Sequence, residues 1–185
     1  MSRIGKKIIS VPAGVKINLD PKSRTINIDG PKGKLSFTWR PEVTVVWNQG
    51  ENAVKCTIDD KDRENKQAMA LWGTTRARIQ CMMVGVTQGY TKKLEVIGVG
   101  WTAKAAGKNL QLTVGYCDPV TMSPPTGVAF AIENNVITIS GPDKAAVGEF
   151  AAEVRQQRLP EPYNGKGIKY DTEVIQRKQG KVFGA

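Results

Sequence analysis

One short phrase occurs twice in this chain, and it limits the possible folds more than any other feature. Ile26-Asn27-Ile28-Asp29-Gly30-Pro31-Lys32 is echoed by Ile137-Thr138-Ile139-Ser140-Gly141-Pro142-Asp143-Lys144. A strand-like run precedes each copy, Val15–Leu19 in the first and Val128–Ile132 in the second. The Ile-x-Ile alternation puts two apolar side chains on one face of an extended chain, and the Gly-Pro step stops the strand. Such an echo indicates an internal duplication. The 185 residues leave room for two domains, each able to bury a core. After the shared Gly-Pro the copies diverge, into a strand pattern in the first and a helix pattern in the second.

The surrounding periodicity fills in both halves. VKINL (15–19), TINI (25–28), LSFTW (35–39), VTVVW (43–47) and VKCTI (54–58) alternate apolar and polar residues, which predicts a meandering antiparallel sheet. The period then changes. Asp59 and Asp60 suit a helix N-cap, acids cluster behind them, and Ala68, Leu71, Trp72, Ile79, Met82, Met83 and Val86 follow at helical spacing. This helix should fade near Gly85–Gly89. Strands are expected to resume at 92–101 and 110–116, with a loop marked by Pro119, Pro124 and Pro125. A hairpin turns through Glu133-Asn134-Asn135. Ala146, Val147, Phe150, Ala151 and Val154 share one face of a second helix, which should end near Leu159-Pro160. The prediction is two related α+β domains, 1–82 and 83–170, followed by a basic tail, 171–185.

Charge narrows the function. Lys and Arg number 27 against 17 Asp and Glu, a net charge of +10, so the partner should be a polyanion, either nucleic acid or an anionic membrane. Residues 1–16 carry Arg3, Lys6, Lys7 and Lys16 with no acid, whereas residues 91–150 balance five bases against five acids. Histidine is absent, which removes Ser-His-Asp and Cys-His nucleophiles, His-ligated zinc and imidazole proton relays. Cys56, Cys81 and Cys117 form no Cys-x-x-Cys pair, and buried free thiols in a reducing compartment are expected. The N-terminal MSRIGKKIISVPAGV lacks the apolar core of a secretory signal. The apolar runs of the chain fall far short of the ~20 residues of a membrane span. An intracellular, soluble chain is predicted.

Three motifs hint at chemistry, and each fails on its context. Gly98-x-Gly100-x-x-Ala103 is a loose dinucleotide fingerprint, but strand patterns follow it where a helix N-terminus would have to face the pyrophosphate. Gly30-Pro31-Lys32-Gly33-Lys34 lacks the Walker A spacing and has Leu35 where Ser or Thr is needed. It also matches the GXXG of KH domains, yet strands flank it, so a tight turn is expected. Asp118 beside Cys117 would raise the thiol pKa, the wrong direction for a nucleophile. No catalytic residue, cofactor site or metal site is predicted.

LPEPYNGKGIKY (159–170) is different. Its prolines restrain an extended lead-in, and Gly165 and Gly167 permit close backbone approach to a ligand. Lys166 and Lys169 supply cations for phosphates, and Tyr163 and Tyr170 supply planar faces or hydroxyls. This mixture suits an irregular RNA surface.

The segment resembles the C-terminal signature of the sixth large-subunit ribosomal protein family, Pro-Glu-x-Tyr-Lys-Gly-Lys-Gly-Ile, with Asn164 in place of the usual lysine. MSRIGKK, VPAGV, GPKG, LWGTTRARI, MVGVTQGY, LEVIGVGW, PPTGV and GPDKAAVGEFAAEVRQQRLPEPY are similar to the family in the same order. The resemblance implies a non-catalytic structural protein with two duplicated domains, each an antiparallel sheet with a helix packed on one face. It implies binding to large-subunit rRNA near the sarcin-ricin loop and the translation-factor site, beside neighbouring proteins at the stalk base. No membrane or small-molecule substrate is implied, and the location is the ribosome, cytoplasmic or organellar. Carried onto this sequence, the signature falls on Tyr163, Gly165, Lys166, Gly167 and Ile168. Asn164, Lys169 and Tyr170 extend it, and Arg155, Arg158, Arg177 and Lys178 are the flanking cations expected to join it. The competing readings are a basic enzyme using Gly98–Ala103 or Cys117, and an anionic-surface protein; the latter lacks the strongly basic amphipathic helix such binding favours.

Overall fold

The computed structural model describes residues 3–180 apart from Gln49, Glu51 and Arg63. Two units divide the chain: one runs up to Gly89 and includes Pro142–Lys144, the other comprises Tyr90–Gly141 and the chain from Ala145 onward. The division falls beyond the 82/83 step predicted from the sequence. A single helix runs unbroken from Lys66 to Thr87 across that step, and its buried side chains Met83 and Val86 belong to the first core.

In the first unit the strands are β1 (Ile9–Ser10), β2 (Lys16–Asp20), β3 (Thr25–Gly30), β4 (Gly33–Thr38), β5 (Thr44–Asn48) and β6 (Ala53–Thr57), followed by α1 (Lys66–Thr87). The expected single meander is two antiparallel sheets, β2-β3-β4 and β1-β6-β5. The break follows β4. Pro41 has no N–H to continue a ladder, and Trp39 and Val43 turn inward on either side of it. Ile9 then pairs with Val54 and closes the second sheet. The core joins Ile9, Ile26, Ile28 and Val54 to Ile79, Met83 and Val86 of α1.

α1 starts later than expected. Asp60–Asp62 form a short 3-10 turn, and Asn65 is the N-cap, its Oδ1 accepting the Gln67 N–H at 2.9 Å. The first helical turn holds no acid. Several good capping residues compete in DDKDREN, and the 3-10 turn takes the earlier ones.

The second unit contains β7 (Tyr90–Ile97), β8 (Thr102–Ala106), β9 (Asn109–Thr113), β10 (Val120–Met122), β11 (Ala129–Glu133), β12 (Val136–Gly141), α2 (Lys144–Gln156) and β13 (Gly167–Tyr170). Its sheets are β11-β12-β7-β13 and β10-β9-β8. The strand expected at 92–101 stops at Ile97, because the chain turns through Gly98–Trp101 with the Trp101 N–H on the Gly98 carbonyl at 3.3 Å. β10 occupies the stretch expected as a loop, and β13 lies in the 159–170 segment, where no strand is predicted. Asn134 and Asn135 have φ of 45° and 65°, the left-handed pair that a two-residue hairpin turn needs between β11 and β12. Val147, Phe150, Ala151 and Val154 of α2 pack on Leu94, Ile137, Ile139 and Ile168 of the sheet.

The repeated Gly ends a strand against a helix in both units. A Cβ on Gly30 would sit 2.7 Å from the Val86 Cβ and 2.8 Å from its carbonyl oxygen. On Gly141 it would sit 2.9 Å from both the Gly127 carbonyl oxygen and a Val147 methyl. The duplication therefore preserves a packing constraint, and the elements after it are free to differ.

Cys56 is buried, and desolvation pushes its thiol up to about 11; Cys117 is exposed in a turn. The three cysteines form no disulfide. At mildly alkaline pH a small thiol reagent should label Cys117 in the native protein and reach Cys56 only on unfolding, which peptide mass mapping will show. Gly141→Ala should lower stability by about 1–3 kcal/mol through overpacking. Gly148→Ala in α2, where the added methyl meets nothing within 4 Å, should raise it by about 0.8–1 kcal/mol. Thermal melting of the two variants tests the opposite signs.

Candidate nucleic-acid interface

α2 delivers the chain to its strongest candidate surface. After Gln156 the Gln157 and Arg158 N–H groups bond back to Val154 and Arg155 at 3.3 Å, ending the helix in a tight turn. The Glu161 N–H then donates to the Lys166 carbonyl at 2.8 Å, and the Gly165 N–H to the Glu161 carbonyl at 3.0 Å. These two bonds close a loop with Tyr163 and Asn164 at its outer end. Tyr163, Asn164 and Lys166 are exposed.

The other signature residues build the loop from behind. Ile168 is fully buried among Leu94, Ile137 and Phe150, so its side chain faces the core and not a ligand. The Ile168 N–H donates to the Arg158 carbonyl at 2.8 Å. Gly167 has φ of +149°, and a Cβ there would collide with the Pro160 backbone. The close approach expected of this glycine is thus made to the protein's own chain. Gly165, at φ of +71°, faces the Arg177 guanidinium, whose nearest nitrogen would lie 3.1 Å from an added Cβ.

Several cations are already engaged. Lys169 pairs with Glu95 at 2.9 Å on the opposing strand β7. Arg155 grips the Glu173 carboxylate through Nε at 2.8 Å and Nη2 at 2.5 Å, and Glu173 also accepts the Tyr170 N–H at 3.2 Å. The Arg155 hydrogen bonds hold the Glu173 carboxyl below its ordinary value and raise the guanidinium pKa in return. Tyr170 has cations over its ring from Lys92 and Arg155, each 5.8 Å from the centroid. Arg158 lies over the rings of Trp101 and Tyr116, at 5.5 and 5.1 Å.

The tail completes the surface. Asp171 N–H bonds the Lys93 carbonyl at 3.1 Å, and Lys178 N–H bonds the Pro162 carbonyl at 2.8 Å. The expected tail thus folds back along the loop as far as the described residues run; residues 181–185 lie outside them. Lys166, Arg177 and Lys178 are brought together as exposed cations, whereas Arg155, Lys169 and Tyr170 are half-buried and engaged within the protein, and Ile168 is buried. Sequence reasoning does not single out Glu173, Trp101 or Tyr116. The glycines Gly98 and Gly115 carry a signal for Trp101, since both pack against its indole ring.

The other motifs have structural uses. Gly98–Trp101 joins β7 to β8, and Ala103 lies within β8. In the Gly30–Gly33 turn, the Lys32 N–H bonds the Val86 carbonyl at 3.0 Å and its ammonium caps the Gln88 carbonyl, so this lysine closes the end of α1. Lys34 pairs with Asp29 at 3.2 Å. Among the described residues no group of three Cys, Asp or Glu is placed to hold a metal, and no helix is long and apolar enough to cross a membrane.

The family model described as "Ribosomal protein L6" matches residues 11–89 and 97–171, one stretch in each unit. The chain belongs to the ribosomal protein L6 family. The Persephonella marina protein named large ribosomal subunit protein uL6 is 44% identical over 184 residues, covering 100% of this chain and 99% of that one. Its namesake from Carboxydothermus hydrogenoformans is 45% identical over 185 residues, covering 100% and 98%. The protein of that name from Syntrophomonas wolfei is 45% identical over 185 residues, covering 100% of this chain and 99% of its own. L6 proteins are ribosomal structural proteins, and the α+β architecture with two repeated domains predicted from the sequence is the one observed.

The Arg155–Glu173 pair yields a pH prediction. Because the folded Glu173 carboxyl titrates below its unfolded value, its stabilisation is complete above the unfolded value and is lost as pH falls through the folded one. Glu173→Gln should cost about 1 kcal/mol near neutrality, and the gap from wild type should close as pH falls through the ordinary glutamate range and below it. Thermal melts across that range measure it.

Proposed function

We propose that this chain is a structural constituent of the large ribosomal subunit and binds large-subunit rRNA through the Glu161–Lys166 loop and the tail docked beside it. The observation that carries this reading is the convergence of Lys166, Arg177 and Lys178 around exposed Tyr163, cations from two chain segments held by backbone hydrogen bonds. The names of the relatives support the assignment to the large subunit.

The mechanism is positioning. Ammonium and guanidinium groups neutralise phosphates, and the tyrosine offers a face or a hydroxyl to an unpaired base. Arg155, Lys169 and Tyr170 act one layer back, keeping the loop in a single geometry so that little ordering entropy is lost on binding. Arg158, held over Trp101 and Tyr116, extends the same surface. The resemblance in the signature supports a contact near the sarcin-ricin loop and the translation-factor site, with proteins of the stalk base as neighbours and the cytoplasmic ribosome as the location.

Salt-dependent binding to in vitro transcribed large-subunit rRNA tests this. Each lost phosphate contact removes about 0.7–0.9 from the log-log slope. Lys166→Gln with Arg177→Gln should therefore flatten the slope by about 1.4–1.8 and weaken binding about tenfold or more. An unchanged slope and affinity would overturn the site assignment.

A further inference from the structure

The first unit carries a cluster of cations that the interface above does not use. Residues 3–8 run outside the sheets, yet they are anchored at several points. Gly5 is buried under the Trp72 indole, so closely that a Cβ would lie 2.5 Å from the ring. The indole is itself fixed, its Nε1–H donating to the Cys56 carbonyl at 2.8 Å. The Lys7 N–H closes a turn onto the Ile4 carbonyl at 3.1 Å, and Arg76 of α1 donates Nε–H to the Lys7 carbonyl at 3.2 Å. Ile9 then enters the core with no exposure.

Between these anchors the side chains face outward. Arg3, Lys6 and Lys7 are exposed, and among the described residues none of them forms an ion pair. Arg76 adds a fourth positive charge alongside the strap, and its Nη2 is directed to Gln80, not to an acid. No acidic residue occurs anywhere in 1–16. By contrast, Lys169 and Arg155 of the second unit are matched by Glu95 and Glu173.

We infer that the strap Arg3–Ile8, clamped on α1 by Trp72 and Arg76, is a second RNA-binding site, on the first unit, taking the phosphate backbone of large-subunit rRNA. The inference rests on the ribosomal reading above for the identity of the polyanion. Its independent basis is the geometry: unpaired cations on a backbone already fixed by the fold, so that ordering them costs little on binding. A backbone contact of this kind positions the unit and carries no base specificity. Ile4 and Ile8, 53% and 57% exposed, flank the two lysines and offer apolar contact to sugar edges.

The test is salt-dependent binding of the full chain to in vitro transcribed large-subunit rRNA, with wild type, Lys6→Gln/Lys7→Gln and Ile4→Ser/Ile8→Ser, all checked for unchanged melting. The double lysine variant should flatten the log-log slope by about 1.4–1.8, and ultraviolet cross-links should map to the 3–8 peptide as well as to 161–166. Wild-type binding with an unchanged slope in the lysine variant overturns this inference and leaves the loop assignment standing. Failure of the wild type to bind rRNA overturns the ribosomal reading first, and this inference with it. If only the isoleucine variant loses incorporation into reconstituted large subunits, the strap contacts a protein and the RNA assignment is wrong.

Discussion

Gly167 passes so close to the Pro160 backbone that no side chain fits between them, and the candidate interface depends on that crossing. It lets the chain leaving α2 return as β13 along β7, with Ile168 opposite Val96. Burial of Ile168 then pins the base of the loop, and Lys169 reaches Glu95 on the neighbouring strand. A methyl group at residue 167 would push these segments apart and loosen everything outside them. A glycine whose type suggests contact with a ligand is required here by the protein's own backbone.

The second organising constraint is the division of positive charge. Arg155, Lys169, Lys32 and Lys34 neutralise acids or cap carbonyls, and Arg158 lies over two aromatic rings. They hold the fold in shape. Lys166, Arg177, Lys178, Arg3, Lys6 and Lys7 are exposed and are among the groups free to meet phosphates. The formal charge of +10 measures attraction for a polyanion; the sites are defined by which cations the fold leaves unmatched.

Local pattern makes much of the fold legible. The Ile-x-Ile strands, the Asn134-Asn135 turn and the apolar face of α2 each follow from side-chain direction or φ preference within a few residues. Where several local solutions compete, as among the caps in DDKDREN, the helix starts later than the pattern suggests. β13 escapes the pattern because its four residues carry little periodic signal, and Ile168 then reads as part of a ligand contact when it belongs to the core. Arg155 and Glu173 lie 18 positions apart, and nothing in their spacing announces a pair.

From its sequence alone this chain is a basic, duplicated α+β protein without histidine chemistry, because composition and period-2 or helical alternation are local properties that need no partner. The tertiary structure alone decided which lysines and arginines stand free. That depends on cross-strand register, on the return of the tail along the loop and on the clamp over Gly5. Each of these is a contact between distant residues that no spacing rule encodes.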